Sequence, residues 1–86
     1  MHVIITYDVK AKRTHKIHKY LKTKLFWVQN SVFQGSVTKS EKDEIFSSLE
    51  KMTKDEDSIL FFVLSSEKSL SKEVIGEEKN QIDNII

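Results

Sequence analysis

Asp8 stands alone as the acid of the first forty residues of this chain. It ends the run Val3-Ile4-Ile5-Thr6-Tyr7 and precedes a stretch crowded with lysine. One carboxylate is a poor metal site. Two copies related by a two-fold axis would hold a Mg²⁺ that keeps several waters, and the ion would relieve their mutual repulsion. A metal-bound water of lowered pKa can then attack a phosphodiester. The plainer alternative is that Asp8 caps the following helix, where negative charge is favourable, and spacing alone favours this cap. Two-metal chemistry needs more carboxylates, and residues 9–40 contain none. A further ligand has to come from beyond Glu41 or from a second copy.

Other chemistries have less support. His15 and His18 stand three apart, but no third ligand lies near them to complete a zinc site; they read as structural or phosphate-contacting. The chain has no Cys, which excludes disulfides, thiolate metal sites and a Cys nucleophile and fits a reducing, cytoplasmic setting. No Gly-rich phosphate loop, Ser-His-Asp set or dinucleotide fingerprint is present. Phe26, Trp27 and Phe33 are able to stack on bases, although aromatics in so short a chain are core by default.

The net charge of +1 conceals a segregation. Residues 9–40 hold eight Lys/Arg and no acid; the first forty residues carry +7 and the remaining forty-six −6. Such asymmetry points to a polyanion partner for the first half. The alternative is a solvated face whose lysines serve solubility. At helical spacing Lys12, Lys16, Lys19, Lys22 and His15 fall on one side of residues 13–24, opposite Ile17 and Leu21, with Thr14 and Tyr20 flanking the apolar side.

The elements that must position these residues follow from period and turn chemistry. Residues 3–9 are β-branched and aromatic and read as a strand, and residues 13–24 as a helix. Residues 25–37 are again strand-like, with a tight turn at Asn30-Ser31 and a bulge or close backbone approach at Gly35. Thr38-Lys39-Ser40-Glu41 has the spacing of a capping box and opens a helix whose core side is Ile45, Leu49 and Met52, with Phe46 beside them. Residues 58–64 form an apolar strand, and residues 72–76 a short fifth strand in a polar tail. The order β-α-β-β-α-β predicts one α+β domain over residues 1–86, a ferredoxin-like antiparallel sheet with both helices on one face. In residues 58–64 both alternating sets, Ile59, Phe61, Val63 and Leu60, Phe62, Leu64, are apolar, so both sheet faces call for burial. A second copy on the open face answers that call; cover by the C-terminal tail is the alternative. The longest apolar run, residues 59–64, is far too short to span a bilayer, so no membrane association is expected. No secretion signal is visible.

Tyr7-Asp8-Val9, Lys12-Arg13 with Lys16-Ile17, and the block Val28-Gln29-Asn30-Ser31-Val32-Phe33-Gln34-Gly35 resemble the small CRISPR-associated Cas-two endoribonuclease family. The later Asp57-Ser58-Ile59 and Glu73-Val74-Ile75-Gly76 segments resemble it too. The resemblance spans essentially the whole chain and is most specific in the Val28–Gly35 block. It implies a homodimer in which the tail, about residues 72–86, adds to the neighbouring subunit's sheet. It also implies Asp8 as metal-binding and catalytic residue, with Mg²⁺ as cofactor and RNA or double-stranded DNA as substrate. Lys10, Lys12, Arg13, Lys16 and Lys19 are then the expected nucleic-acid contacts, with Tyr7, Ser31 and Phe33 in support. In spacer acquisition such a dimer bridges copies of the Cas-one integrase, and a non-catalytic DNA scaffold is the alternative role. Departures from the family pattern are Gln34 in place of a usual Glu, Trp27 in place of a basic residue, and a single Arg at the helix opening.

Overall fold

The computed structural model describes residues 1–65, and the expected fifth strand and tail lie outside them. Six elements follow in order: β1 (His2–Asp8), α1 (Ala11–Lys22), β2 (Phe26–Gln29), β3 (Val32–Ser36), α2 (Lys39–Met52) and β4 (Ser58–Leu64). The sheet order is β2-β3-β1-β4 with every pair antiparallel, the ferredoxin-like arrangement with β4 and β2 at the edges.

Side-chain alternation along β1 divides the sheet into two faces. Val3, Ile5 and Tyr7 are buried with Ile17 and Leu21 of α1, Ile45 and Leu49 of α2, and Phe33 of β3 in one core. Both helices therefore cover the same face. α1 begins and ends two residues earlier than its sequence period suggested, and Thr14 proves exposed, donating to the Lys10 carbonyl at 3.4 Å instead of lining the core. α2 opens with the expected capping box: the Glu41 amide donates to Thr38 Oγ1 at 3.1 Å, and the Thr38 amide donates to Glu41 Oε1 at 2.8 Å.

The β2–β3 hairpin turns at Asn30, whose φ of 47° is the left-handed conformation that Asn tolerates. Its carbonyl accepts from the Trp27 indole N–H at 2.9 Å. The register shift falls between Trp27 and Gln29, so Gly35 marks the close approach and not the bulge. A Cβ at Gly35 would stand 2.9 Å from Leu25 Cδ2.

The face left uncovered by the described residues carries His2, Ile4, Thr6 and Asp8 of β1 opposite Leu64, Phe62, Leu60 and Ser58 of β4. Leu60 is 54% exposed, Phe62 51% and Phe26 of β2 59%. This face does bear apolar side chains in the open, as the doubly apolar pattern of residues 58–64 suggested. At its far end His2 and Gln34 are nonetheless buried, with His2 Nε2 3.3 Å from Gln34 Oε1 and Nδ1 3.5 Å from Ser36 Oγ.

Candidate active site and nucleic-acid interface

Asp8 ends β1 on the uncovered face, exposed, two residues along the strand from the Thr6–Leu60 pair. Among the described residues its side chain joins no hydrogen bond or ion pair. The capping alternative does not hold, because the N-cap of α1 is Lys10 and no side chain of that segment caps the helix. The carboxylate at that helix start is Asp57's: the Lys10 amide donates to Asp57 Oδ1 at 3.0 Å. Asp8 is left unspent, a hard oxygen donor open to solvent.

Asp57 is fully engaged. Oδ1 also accepts from Arg13 Nη2 at 2.9 Å; Oδ2 accepts from Arg13 Nε and, at 2.9 Å, from the Lys54 amide. Four donors use the four lone-pair sites of an ionised carboxylate. Arg13 Nη2 reaches Glu56 Oε1 at 2.8 Å as well. The side chain of Asp57 is 0% exposed and that of Arg13 11%. The Arg13 hydrogen bonds hold the Asp57 carboxyl well below the usual carboxylate range, and the guanidinium is raised in turn, chiefly by Asp57.

Arg13, expected from the resemblance as a nucleic-acid contact, is here paired with Asp57 and Glu56 of its own chain. It stands four residues before Ile17 and shares that residue's inward face, where its planar fork meets two carboxylates. The lysines behave differently. Lys10, Lys12, Lys16, Lys19 and Lys22 are exposed and make no ion pair among the described residues. Lys24 and Lys39, by contrast, are paired with Glu44 at 2.9 Å and Asp43 at 3.3 Å. The basic stripe thus stands as read from spacing, without Arg13.

The aromatics expected in support are core residues. Phe33 is 0% exposed, and the buried Tyr7 ring stacks against it at 6.3 Å, so neither can receive a base. Burial pushes the Tyr7 phenol up from its ordinary value. Ser31 contributes through its backbone: its carbonyl accepts from the Tyr7 amide at 3.2 Å, tying the hairpin turn to the strand just before Asp8. His18 turns its ring edge-on to Trp27 at 5.0 Å and Phe33 at 5.2 Å, and burial, then Lys22 and His15, lower its pKa. No group of three or more His, Cys, Asp or Glu able to hold a metal occurs among the described residues. No helix there is long and apolar enough to cross a membrane.

Residues 1–72 match the family model described as CRISPR associated protein Cas2. The chain belongs to the Cas2 family. A relative named CRISPR-associated endoribonuclease Cas2, from Methanocaldococcus jannaschii, is 44% identical over 100% of this chain and 76% of its own length. The Thermococcus kodakarensis protein of the same name is 42% identical over the whole of both chains. A crystal structure of Cas2 superposes with a TM-score of 0.88 at 40% identity, covering 100% of this chain and 98% of that one. Streptococcus pyogenes Cas2 superposes at 0.74 and 33% identity, covering 88% and 100%.

Within this Cas2 fold, Asp57 and Glu56 are the residues that sequence reasoning missed. A signal was present: Arg13 is the chain's one arginine, and an acidic run, Asp55-Glu56-Asp57, directly precedes β4. A buried, bidentate partner is the position where Arg outperforms Lys.

Proposed function

We propose that this chain is a Mg²⁺-dependent endonuclease, acting on RNA or double-stranded DNA, that works as a homodimer in CRISPR spacer acquisition. The observation that carries this reading is the position of Asp8. Among the described residues it is exposed and unengaged at the edge of the apolar face that the helices leave bare, beside a helix whose four stripe lysines make no ion pair. A second copy packed on Leu60, Phe62 and Phe26 would bury that face and bring a second Asp8 near the first. Each chain supplies one hard carboxylate oxygen, which fits an ion that keeps most of its waters and takes one or two protein carboxylates. When bound, Mg²⁺ supplies a water of lowered pKa for attack on phosphorus. The protein's own part is to hold the phosphodiester through Lys10, Lys12, Lys16 and Lys19 and to present Asp8 beside it. The names of the relatives support the ribonuclease assignment.

One observation favours a second reading. Among the described residues no group of three or more His, Cys, Asp or Glu gathers for a metal, and Asp57, which precedes the strand partner of Asp8, is saturated. A dimer so thinly provided with ligands would serve as a DNA scaffold bridging the Cas-one integrase, with cleavage incidental.

Cleavage of labelled RNA and DNA duplex by wild type and Asp8→Asn, with Mg²⁺ or with EDTA, separates the two. The endonuclease reading expects metal-dependent cuts that Asp8→Asn abolishes while duplex affinity is kept. Equal cleavage by both proteins refutes the assignment of Asp8, and binding with no cleavage in any condition selects the scaffold.

A further inference from the structure

Asp8 has two immediate neighbours whose positions determine its own: the loop that follows it along the chain, and Ser58, its partner across the sheet. Both are held by one carboxylate. Asp57 directly precedes Ser58, and its Oδ1 takes the amide of Lys10, two residues after Asp8, at 3.0 Å. The same oxygen binds Arg13 Nη2 at 2.9 Å, fastening the first turn of α1. Its other oxygen takes Arg13 Nε and the Lys54 amide, closing the α2–β4 loop. Two stretches distant in sequence, residues 10–13 and 54–57, meet on a side chain with no exposed surface.

We infer that Asp57 is a positioning residue for the Asp8 site, fixing through the Lys10 amide, Arg13 and Ser58 where the Asp8 carboxylate is presented. The inference rests on the endonuclease reading of Asp8. Asp57 touches no substrate; it is buried behind Arg13 and acts only through the backbone it pins. An ordinary turn would need one or two of these bonds, whereas here every lone-pair site is used and a second acid, Glu56, holds Arg13 from the other side at 2.8 Å. Among the described residues the Asp8 carboxylate has no side-chain partner to orient it, so its alignment there rests on the backbone that carries it. Misplacement of a reacting group by about 1 Å can cost on the order of a hundredfold in rate.

Asp57→Asn is close to isosteric but cannot replace the carboxylate. Whichever way the amide is turned, its NH₂ faces donors: Lys10 N–H and Nη2–H on one side, Nε–H and Lys54 N–H on the other. Kinetics of RNA and duplex cleavage should be measured for wild type, Asp8→Asn, Asp57→Asn and Arg13→Lys. The temperature should be one at which circular dichroism shows all four folded. Asp57→Asn is expected to lower kcat by about tenfold to a hundredfold while KM and duplex affinity stay within about twofold, since the stripe lysines are intact. Arg13→Lys keeps the charge but loses the fork, and should give the same split in milder form. Combining it with Asp57→Asn should add little, because both act on one clamp. If Asp57→Asn is too unstable to assay, the Arg13→Lys split carries the test. Folded variants with wild-type kcat would show the clamp to be structural only and overturn this inference while the Asp8 assignment stands. Cleavage that survives Asp8→Asn would overturn the Asp8 reading and the inference together.

Discussion

Neutralising stripe lysines should change how nucleic-acid binding responds to salt, and neutralising Arg13 should not. Lys12, Lys16, Lys19 and Lys22 are exposed and hold no ion pair among the described residues. At about 1.5 Å per residue they are spread along about 15 Å of helix. One strand of a duplex presents four or five phosphates over that length, at about 3.4 Å each along the axis. Four contacts per chain, about eight in a symmetric pair, give a slope of log affinity against log salt of about −7. Lys12→Gln with Lys19→Gln removes two contacts per chain and should bring the slope to about −3.6. Arg13→Gln should leave it near −7, because that guanidinium is already committed to Asp57 and Glu56, and should instead lower the melting temperature. Fluorescence anisotropy of a labelled duplex across a KCl series reads the slopes directly. The loss should be alike for unrelated duplex sequences, since phosphate contacts carry no sequence information. A slope reduced by Arg13→Gln as much as by a lysine, or unchanged in the double lysine variant, would refute this division of the cations.

Acid should destabilise the fold in two separable stages, read as denaturation midpoints against pH. His18 has a lowered pKa in the folded state, so the unfolded chain binds its proton first, and this contribution is lost as pH falls below about 6.5. His18→Leu should remove that stage. Arg13, then backbone hydrogen bonds, lower Asp57, and a backbone hydrogen bond, then Arg13, lower Glu56, so their contribution persists above about pH 4 and is lost only below it; Asp57→Asn should flatten the second stage. For the dimer, Phe62→Glu places a charge where about half a phenyl ring now faces solvent. Losing that burial costs about 2 kcal/mol per copy and roughly a thousandfold in dimer affinity. Sedimentation should then show a monomer, and a variant dimerising as tightly as wild type would exclude this face.

The elements were legible because local signals agreed with one another. The β-branched run of β1, the Thr38–Glu41 box, the Asn30 turn and the doubly apolar β4 each specify their structure within a few residues. Asp8 was legible as an exposed acid on the uncovered face, because period-2 alternation fixes its side once Val3, Ile5 and Tyr7 are assigned to the core. The clamp was not. Arg13 and Asp57 are 44 residues apart, and nothing local distinguishes a guanidinium turned to the sheet from one turned to solvent. The family resemblance made Arg13 a nucleic-acid contact beside the lysines, whereas its spacing to Ile17 puts it on the inner face. Gln34 was read as a missing acid. In the structure it is buried against His2, where a carboxylate would have been taken out of water beside an imidazole and a neutral amide meets the ring by hydrogen bonding alone.

The first turn of α1 therefore faces two ways, and the two directions answer differently to the medium. Arg13 faces inward to a carboxylate with no exposed surface, a pair that dissolved salt screens little; Lys12 faces outward, where screening is strong. Grip on nucleic acid and alignment of Asp8 thus depend on separate charges of a single helical turn. If cleavage uses both, rising ionic strength should weaken KM steeply and leave kcat nearly unchanged, because the bonds that place Asp8 are the ones that salt does not reach. A mutation in the clamp should do the opposite. That opposition is possible only because the chain's one arginine was withdrawn from the surface that its sequence neighbours occupy.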